Sequence, residues 1–418
     1  MTVLERLSGD PVWCPFCAGT RLPQGQAVIP GTYALFETTC PTCGRQLLAH
    51  YPIGYAAGSG LVLDPATGEV HSNESNRWYA TNLASAWGGR RERPVRIRRE
   101  RFREPRRPLL VNAIDLMFGH CLQKLFDLPR LRDEHPDRDL IVLVQDFARW
   151  LVPDGAAEIW TVDIALREGR EWFDDLARQL GELLATLPPA AIEGGLGRRG
   201  IDIAAFTRVE PFDRGRPDAL AAPRLTLIWR SDRCWTLGIT PAEGAQAIAE
   251  QAMLMSSLAM TLRQAMPQLA IAVAGIGRDG ALPDWLEDHR IASGGKIDEL
   301  AWLDLYRSSH VVLGVHGSNM LLPAAHAATA IELVPPGKWQ HVGDTYDFVR
   351  GSDGLQALRN FRFLPTATSP RDVAAVVQVM IRRAMVDAYN AQLAALTGDD
   401  ERRRFRATYG HVLAYPGL

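Results

Sequence analysis

No stretch of the 418-residue chain reaches the ~18 consecutive apolar residues that span a bilayer, and its first ten residues lack the basic-then-apolar pattern of a secretory leader. A cytoplasmic protein without a transmembrane segment is therefore expected. Net charge is also small, −2 at pH 7 with a pI near 6.6, which removes any global electrostatic drive toward nucleic acid or an anionic membrane. Such a partner would have to use a local patch. Cysteines number only six, too few to staple a chain of this length, and no internal repeat is evident. With 47% hydrophobic and 22% charged residues, the chain can build two or three ordinary domain cores.

Four of the six cysteines form two Cys-x-x-Cys pairs, Cys14/Cys17 and Cys40/Cys43, separated by 22 residues and followed by Gly44. Two such knuckles can bring four thiolates tetrahedrally onto one Zn²⁺, and a full Cys₄ shell leaves no open position for water or substrate. The expected cofactor is thus a structural zinc ion, in a small β-rich zinc ribbon over residues 1–72. Cys121 and Cys234 lie in apolar sequence and read as buried thiols.

Residues 73–107 read as a linker. Its last part, Arg90 to Arg107, carries ten arginines against three glutamates, with Val95, Ile97 and Phe102 between them. Two roles fit such a run: docking on an acidic surface of the same chain, or holding an anionic partner such as phosphate, glycan or RNA.

From Pro108 the pattern becomes α/β. Leu109–Ile114, Asp139–Val144 and Glu158–Val162 read as buried strands, and Phe118–Pro129, stopped by its proline, and Glu171–Leu187 as amphipathic helices. Together they form a first Rossmann-like domain, 108–222, whose irregular stretch from Pro188 to Pro223 reads as a mobile loop. A second domain, 223–370, opens with the strand Arg224–Trp229, which delivers Arg230 and Arg233 at its exit, and continues with helices at 241–266 and 297–308. Residues 371–418 form a helical region expected to cross back onto the first half. Within the second domain, His310 to Val315 runs directly into His316-Gly317-Ser318-Asn319 and then an apolar stretch from Leu321 to Ala330 of helical length. Strand, glycine loop and helix in succession suit the holding of phosphate. A further strand, Ala330–Val334, carries Glu332.

Three local motifs, in order, resemble glycosyltransferase family 61: Phe118-Gly119-His120 with Leu128-Pro129-Arg130-Leu131; Leu227-Ile228-Trp229-Arg230 with Arg233; and Gly314-Val315-His316-Gly317 with Asn319 and Ile331-Glu332-Leu333. The loop departs from the family's usual pattern, being shortened to His-Gly-Ser-Asn. The resemblance implies a GT-B-like pair of Rossmann-like domains, with a nucleotide sugar, UDP- or GDP-linked, bound mainly by the second. It also implies an inverting, metal-independent transfer to a hydroxyl of a glycan or other acceptor, in polysaccharide assembly.

On that reading Arg230, Arg233, His316, Gly317, Ser318 and Asn319 hold the donor diphosphate and Glu332 the ribose hydroxyls. His120 and Asp146 are the candidate general bases. The residues alone also allow His120 a core position, Asp146 a helix cap, and Glu332 a partner among the protein's own arginines. The alternative function is a non-catalytic zinc-ribbon adaptor that binds a nucleotide, a glycan or RNA.

Overall fold

The computed structural model describes residues 3–413 apart from 8, 18, 59, 196–201, 236–243, 293–298 and 344–359. The chain divides into two units, Met1–Arg198 and Arg199–Leu418.

The first unit contains two sheets. An antiparallel sheet takes Ala27–Val28, Leu35–Thr39, Gln46–His50, Val62–Leu63 and Val70–His71 in chain order. A six-stranded sheet has the spatial order Glu5–Arg6, Ala191–Ile192, Pro108–Asn112, Asp139–Gln145, Glu158–Val162, Ile97–Arg101, parallel except for the last strand. Its central strands are apolar without alternation because both faces are covered.

The cysteine-rich region is joined to this sheet. Glu5–Arg6 pairs with Ala191–Ile192, and Leu4, Cys14 and Phe36 share one core with Leu110, Ile141 and Trp160. Nor is 73–107 a linker. The helix Arg77–Gly88 buries Tyr79, Ala80, Leu83 and Ala86 in a core with Tyr33, Leu35 and Leu63 of the antiparallel sheet, and Ile97–Arg101 is an edge strand.

That edge strand explains the arginine run. Its register sets Arg101 opposite Glu158 and Arg99 opposite Trp160. Glu158 is fully buried and accepts from Arg99 Nη2 at 2.7 Å, Arg101 Nε at 2.8 Å and Trp160 Nε1 at 2.7 Å. Around it Arg91 meets Glu171, Arg93 meets Glu168, Arg103 meets Asp139, Arg107 meets Asp137 and Arg149 meets Glu100. Most of the run is thus neutralised by carboxylates of the same unit.

The second unit has one parallel sheet, ordered Glu287–Ile291, Ala270–Ile276, Arg224–Arg230, Val311–Val315, Ala330–Val334, Phe361–Pro365. In chain order this is 3-2-1-4-5-6, the doubly wound Rossmann arrangement, and its direction reverses between Arg224–Arg230 and Val311–Val315. The helices Gly244–Ala265 and Pro370–Ala395 pack on it, the latter through Val373, Val377, Met380 and Ile381. The C-terminal helix therefore belongs to the core of the second unit.

The boundary between units also falls earlier than residue 222. Thr207 Oγ1 contacts His326 Nε2 at 2.9 Å, Phe212 N donates to His326 O, and Gln392 Nε2 donates to the carbonyls of Arg214 and Arg216, so 203–221 belongs to the second unit. Residues 196–201 of the expected loop, and the expected first turns of two helices at 241–243 and 297–298, lie outside the described residues. Among the described residues no helix is long and apolar enough to cross a membrane.

Candidate active site

In the second unit, Arg230 and the 316–319 loop leave neighbouring strands at the point where the strand order reverses, the place where α/β sheets open a crevice for ligands. Arg230 is held by a forked pair to Asp232 (2.7 and 2.6 Å), and its remaining Nη1 donates to Asn319 Oδ1 at 2.8 Å. Arg233 Nη1 donates to the carbonyl of His316 at 2.8 Å. Burial and the adjacent Arg230 charge both lower the pKa of Arg233. Arg230 is compensated by Asp232, whereas Arg233, poorly hydrated and with no carboxylate paired to it among the described residues, is the cation that gains from an anion.

Gly317 lies beneath both guanidiniums, with φ +150° and ψ −177°. A Cβ there would sit 2.5 Å from Arg233 Nη1 and 3.1 Å from Arg230 Nη1. Ser318 opens a single 3₁₀ turn, Ser318–Met320, and the helix after it is only Leu321–His326, shorter than the sequence pattern predicts. Its dipole is correspondingly small, and the guanidiniums and loop amides are the main positive groups. Asn319 Nδ2 is buried and finds no acceptor among the described residues.

His316 is buried, and its Nδ1 is hydrogen-bonded to Glu332 Oε2. Glu332 is completely buried, its Oε1 without a donor among the described residues.

In the first unit, Asp115 follows the strand Pro108–Asn112 and shapes the turn before the helix Phe118–Phe126, accepting from the N–H groups of Leu116 and Met117. His120 and Lys124, four residues apart on that helix, both turn toward it. His120 Nδ1 is 3.2 Å from Asp115 Oδ1 and Lys124 Nζ is 2.9 Å from Asp115 Oδ2. Lys124 also donates to Ile114 O and Thr32 Oγ1. Burial would raise the pKa of Asp115, but the Lys124 ammonium and His120 hold it well below the usual carboxylate range. The Tyr55 ring lies 4.6 Å from that of His120, whose side chain is partly exposed.

Asp146 has a different setting. It begins the 3₁₀ segment Asp146–Leu151, is largely exposed, and meets Arg98 Nη2 at 3.3 Å. No hydrogen bond links it to His120 among the described residues. Sequence reasoning missed Asp115, Lys124, Tyr55 and Asp232; the i, i+4 spacing of His120 and Lys124 was the one readable sign.

The cysteines fit zinc. All four sulfurs lie within 4.8 Å of one another, with Cys14–Cys43 at 3.8 Å and Cys17–Cys40 at 3.2 Å, near the ~3.8 Å edge of a tetrahedron with 2.3 Å Zn–S bonds. Burial alone would raise the pKa of Cys40, but the backbone N–H of Cys43 and the Cys17 thiol bring it to about 6. These donors favour the thiolate at Cys40, the form that binds metal, while the same sulfur–sulfur hydrogen bond raises the pKa of Cys17.

The chain's single Asp-x-Asp triplet, Asp137-Arg138-Asp139, opens a strand at its amino end. Asp139 accepts from Arg103 and the Arg106 and Arg107 N–H groups. It is engaged in pairing the edge strand, at the end of the sheet away from ligand-binding crevices.

No family model matches the chain, and no curated protein is similar to it in sequence. Among solved structures, the Escherichia coli ADP-heptose lipopolysaccharide heptosyltransferase II is similar over 66% of this chain and 99% of that one, with 10% identity and a TM-score of 0.38. Spinosyn rhamnosyltransferase SpnG, complexed with thymidine diphosphate, is similar over 69% of each chain, with 16% identity and a TM-score of 0.25. TarM is similar over 91% of this chain and 64% of that one, with 10% identity and a TM-score of 0.26.

Proposed function

We propose that the protein is a glycosyltransferase of the GT-B kind, related to family 61, that moves a hexosyl or pentosyl group from a UDP- or GDP-linked donor to a hydroxyl of a glycan or similar acceptor. The observation that carries the reading is the pair of guanidiniums, Arg230 and Arg233, packed over Gly317 at the switch point of a 3-2-1-4-5-6 sheet, with Asn319 Nδ2 beside them lacking an acceptor among the described residues. Charge builds on a nucleoside diphosphate as its bond to the anomeric carbon breaks, and fixed cationic donors stabilise that charge without a divalent metal.

In this reading Arg233, the 317–319 loop and Asn319 Nδ2 receive the diphosphate, and Arg230 keeps Asn319 and Asp232 in place. His316 donates to a phosphate oxygen from Nε2, with Glu332 fixing the ring through Nδ1. Glu332 acts as a positioning residue, because its burial leaves no surface for the ribose contact read from sequence. Inversion requires one displacement: the acceptor oxygen attacks the anomeric carbon as the bond to the diphosphate breaks, and its proton passes to a base. We assign that base to His120 Nε2, with Asp115 holding Nδ1, in preference to exposed Asp146. The zinc ion supplies structure to the first unit and takes no part in transfer. The adaptor reading loses its main motive, since the arginine run is largely paired within the unit.

The test is a thermal-shift panel of the zinc-loaded protein with UDP-, GDP-, CMP- and ADP-linked sugars, repeated on Arg233→Ala and His316→Ala. Ligand at ~100 Kd adds about 2.7 kcal/mol of stability. A shift with one nucleotide class that both variants lose supports the assignment; no shift with any of them refutes it.

A further inference from the structure

The first unit contains a cavity of about 460 Å³ that the proposed transfer does not use, with Ile53, Gly54, Arg130, Glu134, His135 and Glu193 in its lining. Its place in the fold is informative. Glu193 directly follows the strand Ala191–Ile192, which neighbours Pro108–Asn112 where the direction of chain order reverses in this sheet. It is the first-unit counterpart of the switch point that carries Arg230 in the second.

Glu193 is only 6% exposed. Its Oε1 accepts from the N–H of Gly194 at 2.9 Å, but Oε2 is buried with no donor among the described residues. A carboxylate oxygen left so loses its hydration without compensation, and folds rarely keep one without a use. The nearby cation does not supply the missing bond. Arg130 is committed to Asp127 through Nε and Nη2 (2.7 and 2.6 Å) and to Glu134 through Nη1. With Glu134 and Glu193 in the wall and Arg130 already neutralised by Asp127, the pocket carries net negative charge and repels anions.

We propose that this cavity is a binding site for a small polar ligand that presents hydrogen-bond donors and no negative charge, a sugar hydroxyl or an ammonium group, received by Glu193 Oε2. The volume admits a mono- or disaccharide. The inference rests on the first unit alone and stands apart from the donor site.

Saturation-transfer NMR on the full zinc-loaded chain tests it, with methyl α-glucoside, glucosamine and glucuronate as probes against wild type, Glu193→Gln and Glu193→Leu. At least one of the first two should saturate with wild type and glucuronate should not; Glu193→Leu should lose the signal at least tenfold. Glu193→Gln separates the sources: a hydroxyl ligand keeps part of its signal, whereas an ammonium ligand loses it. Thermal melts of both variants, expected at or above wild type because a buried carboxylate oxygen without a donor has been removed, show that lost binding is not lost folding. No signal from either neutral or cationic probe, equal signal from glucuronate, or signal unchanged in Glu193→Leu would overturn the proposal.

Discussion

One carboxylate, that of Asp115, engages two side chains of a single helix: Oδ1 lies 3.2 Å from His120 Nδ1 and Oδ2 lies 2.9 Å from Lys124 Nζ. The histidine ring is thereby held through Nδ1, with no hydrogen bond to Nε2 among the described residues, and a buried ammonium is matched by a buried carboxylate. On the proposed reaction, His120→Ala should lower kcat about 10²–10⁴-fold while leaving the nucleotide-induced thermal shift unchanged. A loss of donor binding together with activity would assign His120 to another role.

The same pair makes a pH prediction. Asp115 has a folded pKa depressed below its unfolded value of about 3.9, so the stability it contributes is present above that value and lost as pH falls toward the folded one. Asp115→Asn leaves Lys124 buried without its counter-ion and should cost about 3–5 kcal/mol at pH 7. The gap from wild type should narrow below about pH 4. Denaturant melts across pH 3–7 measure this, and a gap independent of pH would show that the ion pair is not its source.

Glu158 is a second buried carboxylate, this time at a sheet edge. It receives Arg99, Arg101 and the Trp160 indole, and although burial opposes ionisation these partners lower its pKa. Glu158→Ala leaves the buried Trp160 N–H without its acceptor and two partly exposed arginines without their carboxylate, and should destabilise by about 2–3 kcal/mol, whereas Arg107→Ala, whose partner Asp137 is exposed, should cost less than about 1 kcal/mol. Equal effects in urea melts would show that the arginine run acts as one solvated surface.

How much of this was legible depends on the range of the forces involved. Buried parallel strands such as Asp139–Gln145 declare themselves by continuous apolar sequence, and the cysteine spacing declares a metal site. The strands Glu5–Arg6 and Ala191–Ile192 are two residues each and exist because they pair with each other and with Leu109 and Leu110. Ile97–Arg101 reads as solvent-facing until Glu158 is seen opposite it. Glu287–Ile291 is mostly polar, an edge strand whose Arg290 stacks 4.5 Å from the Trp229 ring. At the site, Arg230, Arg233 and the His-Gly loop were readable as a motif. Asp115 and Asp232 were not, since carboxylates before helices and after strands are common and only their partners single them out.

The four-cysteine cluster predicts one zinc per chain by elemental analysis. Because Cys14 and Cys40 share a core with Leu110 and Trp160, metal removal should reach beyond the ribbon. A strong chelator or Cys40→Ser should lower the melting temperature of the first unit on the order of 10 °C. Loss of zinc without a change in melting would mean that the two sheets are stable without it.

Gly317 offers the sharpest test of the donor site, because two costs can be separated there. Its φ of +150° with ψ of −177° is a region essentially reserved to glycine, so any Cβ costs roughly 1–3 kcal/mol in strain. Gly155, at φ +99° in the other unit, shares the strain, but its nearest contact for a Cβ is Arg132 Nη1 at 3.4 Å. Both alanine variants should therefore melt a few degrees lower. Only Gly317→Ala also drives a methyl into Arg233 Nη1 and toward Arg230, pushing aside the donors that would receive the diphosphate. Nucleoside diphosphate affinity should fall at least tenfold in Gly317→Ala and stay within twofold of wild type in Gly155→Ala, as read by calorimetry with UDP and GDP. If both variants bind alike, the guanidiniums over Gly317 are a packing arrangement and the diphosphate site lies elsewhere.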